Sequence, residues 1–266
     1  MACWKPCRLP ALVVLMAVGL VAGCGRGPAK RSLIVGMELQ YPPFEMTDAK
    51  GAPTGISVEM AEALAAHLGR PIEIRNMAFS GLIEALRTGK IDCILSSMTA
   101  TPERDQAIDF SDPYLRTGLC LLIRNDAPIQ TIGDADAKDR VVAVKQGTTG
   151  HAFAAAELKQ ASLKVFDQDA ACVLELVQGK ADAFIYDQMS IYRYWKRNPD
   201  TTRALLNPFR EEAWAIGIRE GDAELRSGIN AFLAAFKTGG GFERLGDKYL
   251  FEEKQAFREL GVPFFF

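Results

Sequence analysis

The chain has 266 residues and a formal net charge of -2, with 31 basic residues against 33 acidic residues. This near balance, together with 48% hydrophobic residues, is typical of a globular protein and does not favour a nucleic-acid partner.

The N-terminus predicts a secreted protein. Lys5 and Arg8 precede an apolar run over residues 11–23, which is shorter than the roughly 20 residues needed to span a bilayer. The run ends in Leu-Val-Ala-Gly before Cys24 and resembles the bacterial lipobox, which implies that Cys24 is lipidated. We therefore expect a lipoprotein signal peptide at 1–23 and a tether at 24–31. An ordinary secretory signal with an incidental cysteine is the alternative.

Removal of residues 1–23 leaves 243 residues and changes the net charge to -4, because the segment holds two basic residues and no acidic residue. This length suits two lobes of about 100 residues each. Cys93, Cys120 and Cys172 lie in separate apolar stretches without metal-like spacing, so we expect buried thiols, with a disulfide between two of them as the alternative.

Strands alternate with helices along the rest of the chain. We predict, in chain order, strands at 32–36, 72–75, 93–95, 119–124, 141–144, 163–166, 183–185 and 214–218, and helices at 58–68, 80–89, 149–158 and 223–237, with a further helix that ends at Gly179. Ser57 and Ser80 are the predicted N-caps of the first two helices, and Thr101 caps a helical turn with Pro102 at its first position. This alternation favours parallel or mixed sheets with helices on both faces.

One pattern occurs twice, at residues 86–92 and 176–182. Each copy predicts a helix that ends at a glycine, followed by a short apolar strand and then by polar side chains. The first strand leads to hydroxyl side chains and Arg104, and the second leads to Tyr186 and Asp187. Open α/β sheets bind ligands at the carboxyl ends of their strands, so the two units predict a cleft for a small zwitterion.

Seven segments occur in the order and spacing of the polar amino acid-binding proteins of ABC importers, the bacterial extracellular solute-binding protein family 3. They are residues 36–44, 55–60, 96–99, 103–104, 110–114, 146–149 and 241–249. The resemblance covers nearly all of residues 32–251.

This resemblance implies an α/β fold of the type II periplasmic-binding-protein kind, with two mixed α/β lobes joined by two crossover strands. Lobe 1 is expected at 32–116 plus 213–253, and lobe 2 at 117–212. A C-terminal tail at 254–266 lies beyond the usual end of the family, and no role is assigned to it.

The head group of the ligand is expected between the lobes. Arg104 offers a planar fork that matches a carboxylate, and the family arginine at this place binds the ligand α-carboxylate. Thr148 and Thr149 open a helix after a glycine and would add donors, with a plain N-cap as the alternative. Asp187 resembles the family aspartate that accepts from the α-ammonium, with a structural salt bridge as the alternative.

The resemblance assigns further contacts. The hydroxyl and backbone groups of Ser97 and Thr99, together with those of Ser96, are implied to bind the head group. Tyr41 and Phe79 match positions that sandwich the ligand side chain, with core packing as the alternative. Glu38 stands where the family commonly has an aspartate that reaches the tip of the side chain. A polar or cationic ligand is therefore expected over an acidic one, unless Glu38 points to solvent or pairs with a lysine.

The resemblance thus implies a lipid-anchored monomer, in the periplasm or at the cell surface, that captures a polar or cationic L-amino acid and delivers it to an ABC transporter permease. We expect no enzyme activity, no cofactor and no metal. An enzyme resembling cyclohexadienyl dehydratase, or a sensory binding protein, would use the same scaffold. Asp187, Ser97 and Thr149 together are suited to a zwitterion, which favours transport over the dehydratase. Prephenate has no ammonium group for Asp187 to bind.

Overall fold

The structure is a computed structural model that describes residues 1–3, 31–262 and 264. The chain divides into two units, Met1–Lys30 and Arg31–Phe266, and the elements below belong to the second. The predicted apolar signal core and Cys24 lie outside the described residues. Among the residues that are described, no helix is long and apolar enough to cross a membrane.

Strands and helices alternate over residues 33–259. The strands are β1 (Leu33–Met37), β2 (Gln40–Tyr41), β3 (Glu45–Thr47), β4 (Pro53–Thr54), β5 (Ile72–Asn76), β6 (Cys93–Ile94), β7 (Asp109–Phe110), β8 (Leu115–Arg124), β9 (Val141–Lys145), β10 (Ser162–Phe166), β11 (Ala183–Asp187), β12 (Thr202–Trp214) and β13 (Gly217–Ile218). The helices are α1 (Ile56–His67), α2 (Leu82–Arg87), α3 (Pro102–Asp105), α4 (Thr149–Glu157), α5 (Asp169–Val177), α6 (Gln188–Arg197), α7 (Ala223–Thr238), α8 (Gly241–Tyr249) and α9 (Phe251–Glu259).

The first lobe is built on a sheet with the order β5-β1-β6-β13-β7. β1 runs parallel to β5 and β6, whereas β13 is antiparallel to β6 and β7. β13 comes from the far end of the chain and lies between two strands of its first half. The lobe is therefore discontinuous in sequence. A small sheet of β2, β3 and β4 is attached to this lobe and carries Tyr41 and Glu45.

The second lobe is built on a sheet with the order β10-β9-β11-β8-β12. β9 runs parallel to β10 and β11, and β8 pairs antiparallel with both β11 and β12. β8 and β12 are the longest strands of this sheet, and their outer ends reach the first lobe, where Trp214 forms a bridge with Thr99. The two expected crossover strands are confirmed, while the exact lobe boundaries stay predictions.

The repeated pattern forms the repeated structure that was predicted. Gly89 and Gly179 follow α2 and α5 with φ angles of 74° and 71°, in the left-handed region that glycine adopts without steric cost. The strands β6 and β11 come next and end at the polar residues. Both copies therefore deliver side chains to the carboxyl end of a sheet.

Some predicted boundaries were wrong. The N-cap of α1 is Gly55, because Ser57 is buried in the first turn and donates to Glu45. Ser80 lies in a 3₁₀ turn over Phe79–Gly81, so the N-cap of α2 is Gly81. The predicted strand at 214–218 is divided, since Trp214 ends β12 and a separate β13 begins at Gly217. The Thr101 cap with Pro102 is confirmed.

The C-terminal helix α9 spans the predicted start of the tail at residue 254. Glu253 pairs with Arg193 of α6 at 3.1 Å, and the Phe257 ring lies 5.1 Å from the Tyr192 ring. Both partners belong to α6 in the second lobe. Helix α9 follows a segment of the first lobe in sequence, and it packs against α6 of the second lobe.

The three remaining cysteines are buried. Cys93, Cys120 and Cys172 are all free thiols, and burial raises the pKa of Cys93 to about 12. A thiol with so high a pKa holds its proton at neutral pH, so this cysteine acts as a small apolar residue.

Candidate functional site

A cavity with an empty volume of about 470 Å³, part of it open to solvent, lies where the carboxyl ends of β1, β6, β9 and β11 meet. Its lining includes every ligand-binding residue expected from the sequence: Glu38, Tyr41, Phe79, Ser96, Ser97, Thr99, Arg104, Thr148, Thr149 and Asp187. Further lining comes from Glu45, Leu119, Gly150, Tyr186, Glu212 and Trp214. Both lobes thus contribute side chains to one cleft, as the strand-end rule predicts.

A buried ion pair crosses the cleft. Glu38 follows β1 in the first lobe, and its Oε2 accepts from the Nζ of Lys145, the last residue of β9 in the second lobe. Lys145 is only 1% exposed and Glu38 6% exposed. The sequence alternative in which Glu38 pairs with a lysine is therefore what the structure shows, although Glu38 also faces the cavity.

Arg104 belongs to the short helix α3, whose cap Thr101 fixes its backbone. Its guanidinium donates to the Thr99 carbonyl at 2.6 Å and, across the cleft, to the Gly147 carbonyl at 3.0 Å. Burial lowers the pKa of Arg104 to about 10, so the group stays cationic at neutral pH. A guanidinium has five N–H donors, and two such contacts leave donors for an anion.

The hydroxyl groups of Ser96 and Ser97 are held by Glu45. Ser97 donates to its carboxyl group at 3.1 Å and Ser96 at 3.5 Å, while Ser57 donates at 2.6 Å. Ser97 has a φ of 48°, which is uncommon for a residue with a side chain. Burial raises the pKa of Glu45 to about 8 despite these bonds, so its carboxyl group is largely protonated at neutral pH.

The hydroxyl groups of Thr99 and Thr149 are held by Glu212 in the same way. Both donate to its Oε2, at 2.9 Å from Thr99 and 3.0 Å from Thr149. The other oxygen, Oε1, is buried and has no hydrogen-bond partner among the described residues. Burial raises the pKa of Glu212, and the two threonine hydroxyls partly offset that rise.

Thr148 is the N-cap of α4. Its hydroxyl accepts from the His151 N–H at 3.2 Å and donates to the Lys145 carbonyl at 2.7 Å. The plain N-cap that the sequence left open is thus present, and the residue still lines the cavity.

At Ser97, Thr99, Thr148 and Thr149 the hydroxyl therefore donates its proton to the protein. A hydroxyl has one proton and two lone pairs, so these groups can still accept a hydrogen bond but cannot donate a second one. They are suited to a ligand ammonium. A ligand carboxylate would depend on N–H donors, and the Arg104 guanidinium on the cavity wall supplies cationic ones.

Asp187 ends β11 and is the N-cap of α6. Its Oδ1 accepts from the Ser190 N–H at 3.0 Å, which explains why a carboxylate ends an apolar strand. Burial raises the pKa of Asp187, and the Tyr41 hydroxyl and the Ser190 N–H partly offset the rise. No salt bridge to Asp187 forms among the described residues, so a ligand cation would be a favourable partner.

The two aromatic residues differ in their surroundings. Tyr41 is buried, with ring centroids 5.6 Å from Phe44, 6.0 Å from Tyr186 and 5.9 Å from Trp214. Phe79 is half-buried and lies below two cations, with its ring centre 5.5 Å from Arg104 and 5.9 Å from Lys145. Tyr41 therefore packs in an aromatic cluster as well as lining the cavity, while Phe79 forms a more open wall.

Sequence reasoning missed two charged lining residues, Glu45 and Glu212, and the buried Lys145 that pairs with the lining residue Glu38. Lys145 had a usable signal, because it ends the apolar strand 141–145 as Asp187 ends 183–187. Glu45 and Glu212 do not follow a long apolar strand, so they lack such a signal. No group of three potential metal ligands occurs within residues 1–3, 31–262 and 264.

Comparisons with known proteins agree with this geometry. Residues 33–253 match the model of the bacterial extracellular solute-binding proteins, family 3. The L-cystine-binding protein TcyJ of Escherichia coli is 28% identical over 252 residues, which cover 90% of this chain and 94% of TcyJ. The L-arginine-binding protein of Pseudomonas aeruginosa is 30% identical over 230 residues, which cover 83% and 88% of the two chains.

A solved structure is similar over most of its length. The ancestral amino acid-binding protein AncCDT-1, described as a precursor of cyclohexadienyl dehydratase, has a TM-score of 0.75 and 34% identity, and the match covers 82% of this chain and 94% of that one. The family match spans both lobes and the whole cleft. The chain belongs to the bacterial extracellular solute-binding proteins, family 3.

Proposed function

We propose that the chain captures a polar L-amino acid between its two lobes and delivers it to an ABC importer without altering it chemically. The observation that carries this proposal is the placement of Arg104 and Asp187 on one cavity, from opposite lobes. The Arg104 guanidinium and the buried Asp187 carboxyl group, both on this cavity, complement the two charges of an amino acid head group.

The Glu38–Lys145 pair refines the ligand class. It offers an acceptor and a donor side by side, so a side chain that both donates and accepts would suit it better than a bare cation. An amide has this property, as does the second head group of cystine, the ligand named for the Escherichia coli relative. We therefore rank glutamine and cystine first, arginine, lysine, ornithine and histidine next, and aspartate and glutamate last.

A thermal-shift screen of the amino acids tests this function. A ligand at 100 times its dissociation constant stabilises the folded state by roughly 2.7 kcal/mol, which is readily measured. We expect at least one polar amino acid to raise the melting temperature and glutamate to have the smallest effect. Tight binding of an acidic amino acid would refute the ligand ranking, and the absence of any shift would refute the function.

Delivery to a permease fits a protein held at the membrane, and we propose that lipid on Cys24 holds it there. A Cys24→Ser variant should leave the membrane fraction, because it cannot be lipidated. Retention in that fraction would show a different anchor. A single acyl chain binds membranes only marginally, so stable attachment would require the several chains of bacterial lipoproteins.

A dehydratase remains the second candidate because of Glu45. A protonated carboxyl group in the cavity, with a pKa near 8, is what a general acid requires. Against this, Asp187 has no ammonium to bind in prephenate, and the Glu45 oxygens are already held by three serines. Incubation with prephenate or arogenate should produce no new product absorbance, and product formation would support the enzyme instead.

A further inference from the structure

Glu212 joins the two lobes through one oxygen atom. Thr99 follows β6 in the first lobe, and Thr149 begins α4 in the second lobe. Their hydroxyls donate to the same Oε2, at 2.9 Å and 3.0 Å. Glu212 itself lies near the end of β12, one of the two crossover strands. A residue of the hinge thus contacts one threonine from each lobe.

This arrangement depends on the relative position of the lobes. A single oxygen can accept from both threonines only while both hydroxyls lie within hydrogen-bond distance of it. Movement of one lobe away from the other increases at least one of the two distances. The pair of bonds is therefore specific to the closed arrangement, whereas either bond alone is not.

Burial of the Glu212 carboxyl group costs desolvation free energy, which the two hydrogen bonds from Thr99 and Thr149 partly offset. Its carboxyl group is largely buried, and its Oε1 lacks a hydrogen-bond partner in the part of the chain that the structure describes. Arg104 and Arg210 supply the positive field around it. Bonds to an ionised acceptor are stronger than bonds between neutral groups, so two donors converging on one oxygen stabilise the state that brings them together.

We propose that Glu212 is a positioning residue that fastens the two lobes in the closed, ligand-holding state by accepting from Thr99 and Thr149 together. This inference rests on the proposed amino acid-binding function. It predicts a kinetic effect. Loss of the two hydrogen bonds should raise the dissociation rate of the ligand and leave its association rate almost unchanged, because the ligand binds to the open state.

Stopped-flow fluorescence on the full chain, through the tryptophan at position 214 of the cavity wall, can measure both rates. The probe is L-glutamine or L-arginine, whichever the wild type binds more tightly. Glu212→Ala should raise the dissociation rate about tenfold, the effect of losing a charge-assisted hydrogen bond, and change the association rate less than twofold. The control Glu211→Ala removes a neighbouring exposed carboxylate and should change neither rate.

Thr99→Val and Thr149→Val give an independent route if Glu212→Ala fails to fold. Each should raise the dissociation rate, and the double variant should be little worse than either single variant, because the fastening needs both bonds. A folded Glu212→Ala variant, or both valine variants, with wild-type dissociation would overturn the inference and leave the binding function intact. Failure of the wild type to bind any amino acid would instead refute the proposed function.

Discussion

Glu38 and Lys145 form an ion pair across the cleft, and both side chains are almost fully withdrawn from solvent. The carboxylate expected to select a cationic ligand is thereby already paired with a cation of the protein. Breaking a buried pair on one side leaves an uncompensated charge, whereas a ligand that satisfies both partners leaves the pair intact. Ligand choice in this chain should therefore depend on Lys145 as much as on Glu38.

Lys145→Met should shift the ligand preference towards cations. Methionine has a similar length and no charge, so the variant leaves Glu38 unpaired and available to a guanidinium or ammonium. We expect affinity for arginine or lysine to rise at least tenfold relative to glutamine, measured by isothermal titration calorimetry. Lys164→Met is the control, because Lys164 pairs with Glu175 outside the cavity. An unchanged preference would show that the pair does not face the ligand side chain.

Arg104→Ala should weaken ligand binding by about 2 to 5 kcal/mol, the usual effect of removing one partner from a buried charge pair. The neighbouring hydroxyls cannot compensate, because Thr99 and Thr149 already donate to Glu212. Calorimetry on the folded variant provides the measurement. Arg87→Ala, on an exposed helix face, should bind like the wild type. Affinity within threefold of the wild type would remove Arg104 from the head-group site.

Asp187→Asn should weaken binding comparably while the fold is retained. Asparagine is as good an N-cap as aspartate, so the bond from the Ser190 N–H survives and only the charge is lost. We expect a melting temperature close to that of the wild type without ligand and a much smaller shift with it. Asp200→Asn at an exposed turn is the matched control. Normal binding by Asp187→Asn would place the ammonium contact elsewhere.

Much of this site could be predicted from the sequence because its residues follow strands. The rule that polar side chains collect at the carboxyl ends of strands locates Ser96, Arg104 and Asp187 from the sequence. The aromatic positions Tyr41 and Phe79 and the residues Thr148 and Thr149 came from the family resemblance. The strand-end rule and the resemblance both locate residues at the cleft, but neither indicates which protein groups those residues contact.

Side-chain pairing was the part that could not be predicted. The partner of Glu38 lies 107 positions away, and the two hydroxyls at Glu212 belong to residues about 50 positions apart. The prediction of an N-cap at Ser57 was wrong for a related reason. Serine is a favoured N-cap residue, but the Ser57 hydroxyl donates to the buried Glu45 carboxyl group instead. This tertiary contact overrides the local preference.

Glu45 makes the stability of the fold depend on pH. Burial raises the pKa of its carboxyl group from 4.5 to about 8, so between these values the unfolded chain loses a proton that the folded chain keeps. The free energy of unfolding should therefore fall as pH rises through this window, by at most about 1.4 kcal/mol per pH unit from this group. Below pH 4.5 the loss is absent, and above pH 8 it is complete.

Glu45→Gln should reduce this dependence, because an amide of the same shape does not ionise. Urea denaturation at pH 5, 6, 7 and 8 would compare the two proteins, and the variant should gain most at pH 8. Glu243→Gln, in the first turn of α8 and outside the cavity, serves as a control. A variant that loses stability with rising pH as steeply as the wild type would show that Glu45 ionises normally.

Titration with chemically blocked ligands tests the central claim most directly. The amino acid that stabilises the protein best would be compared by calorimetry with its methyl ester, which lacks the carboxylate, and with its N-acetyl form, which lacks the ammonium. Because Arg104 and Asp187 are proposed to bind these two groups, each blocked form should lose at least a hundredfold in affinity. Blocked forms that bind as tightly as the free amino acid would contradict the account.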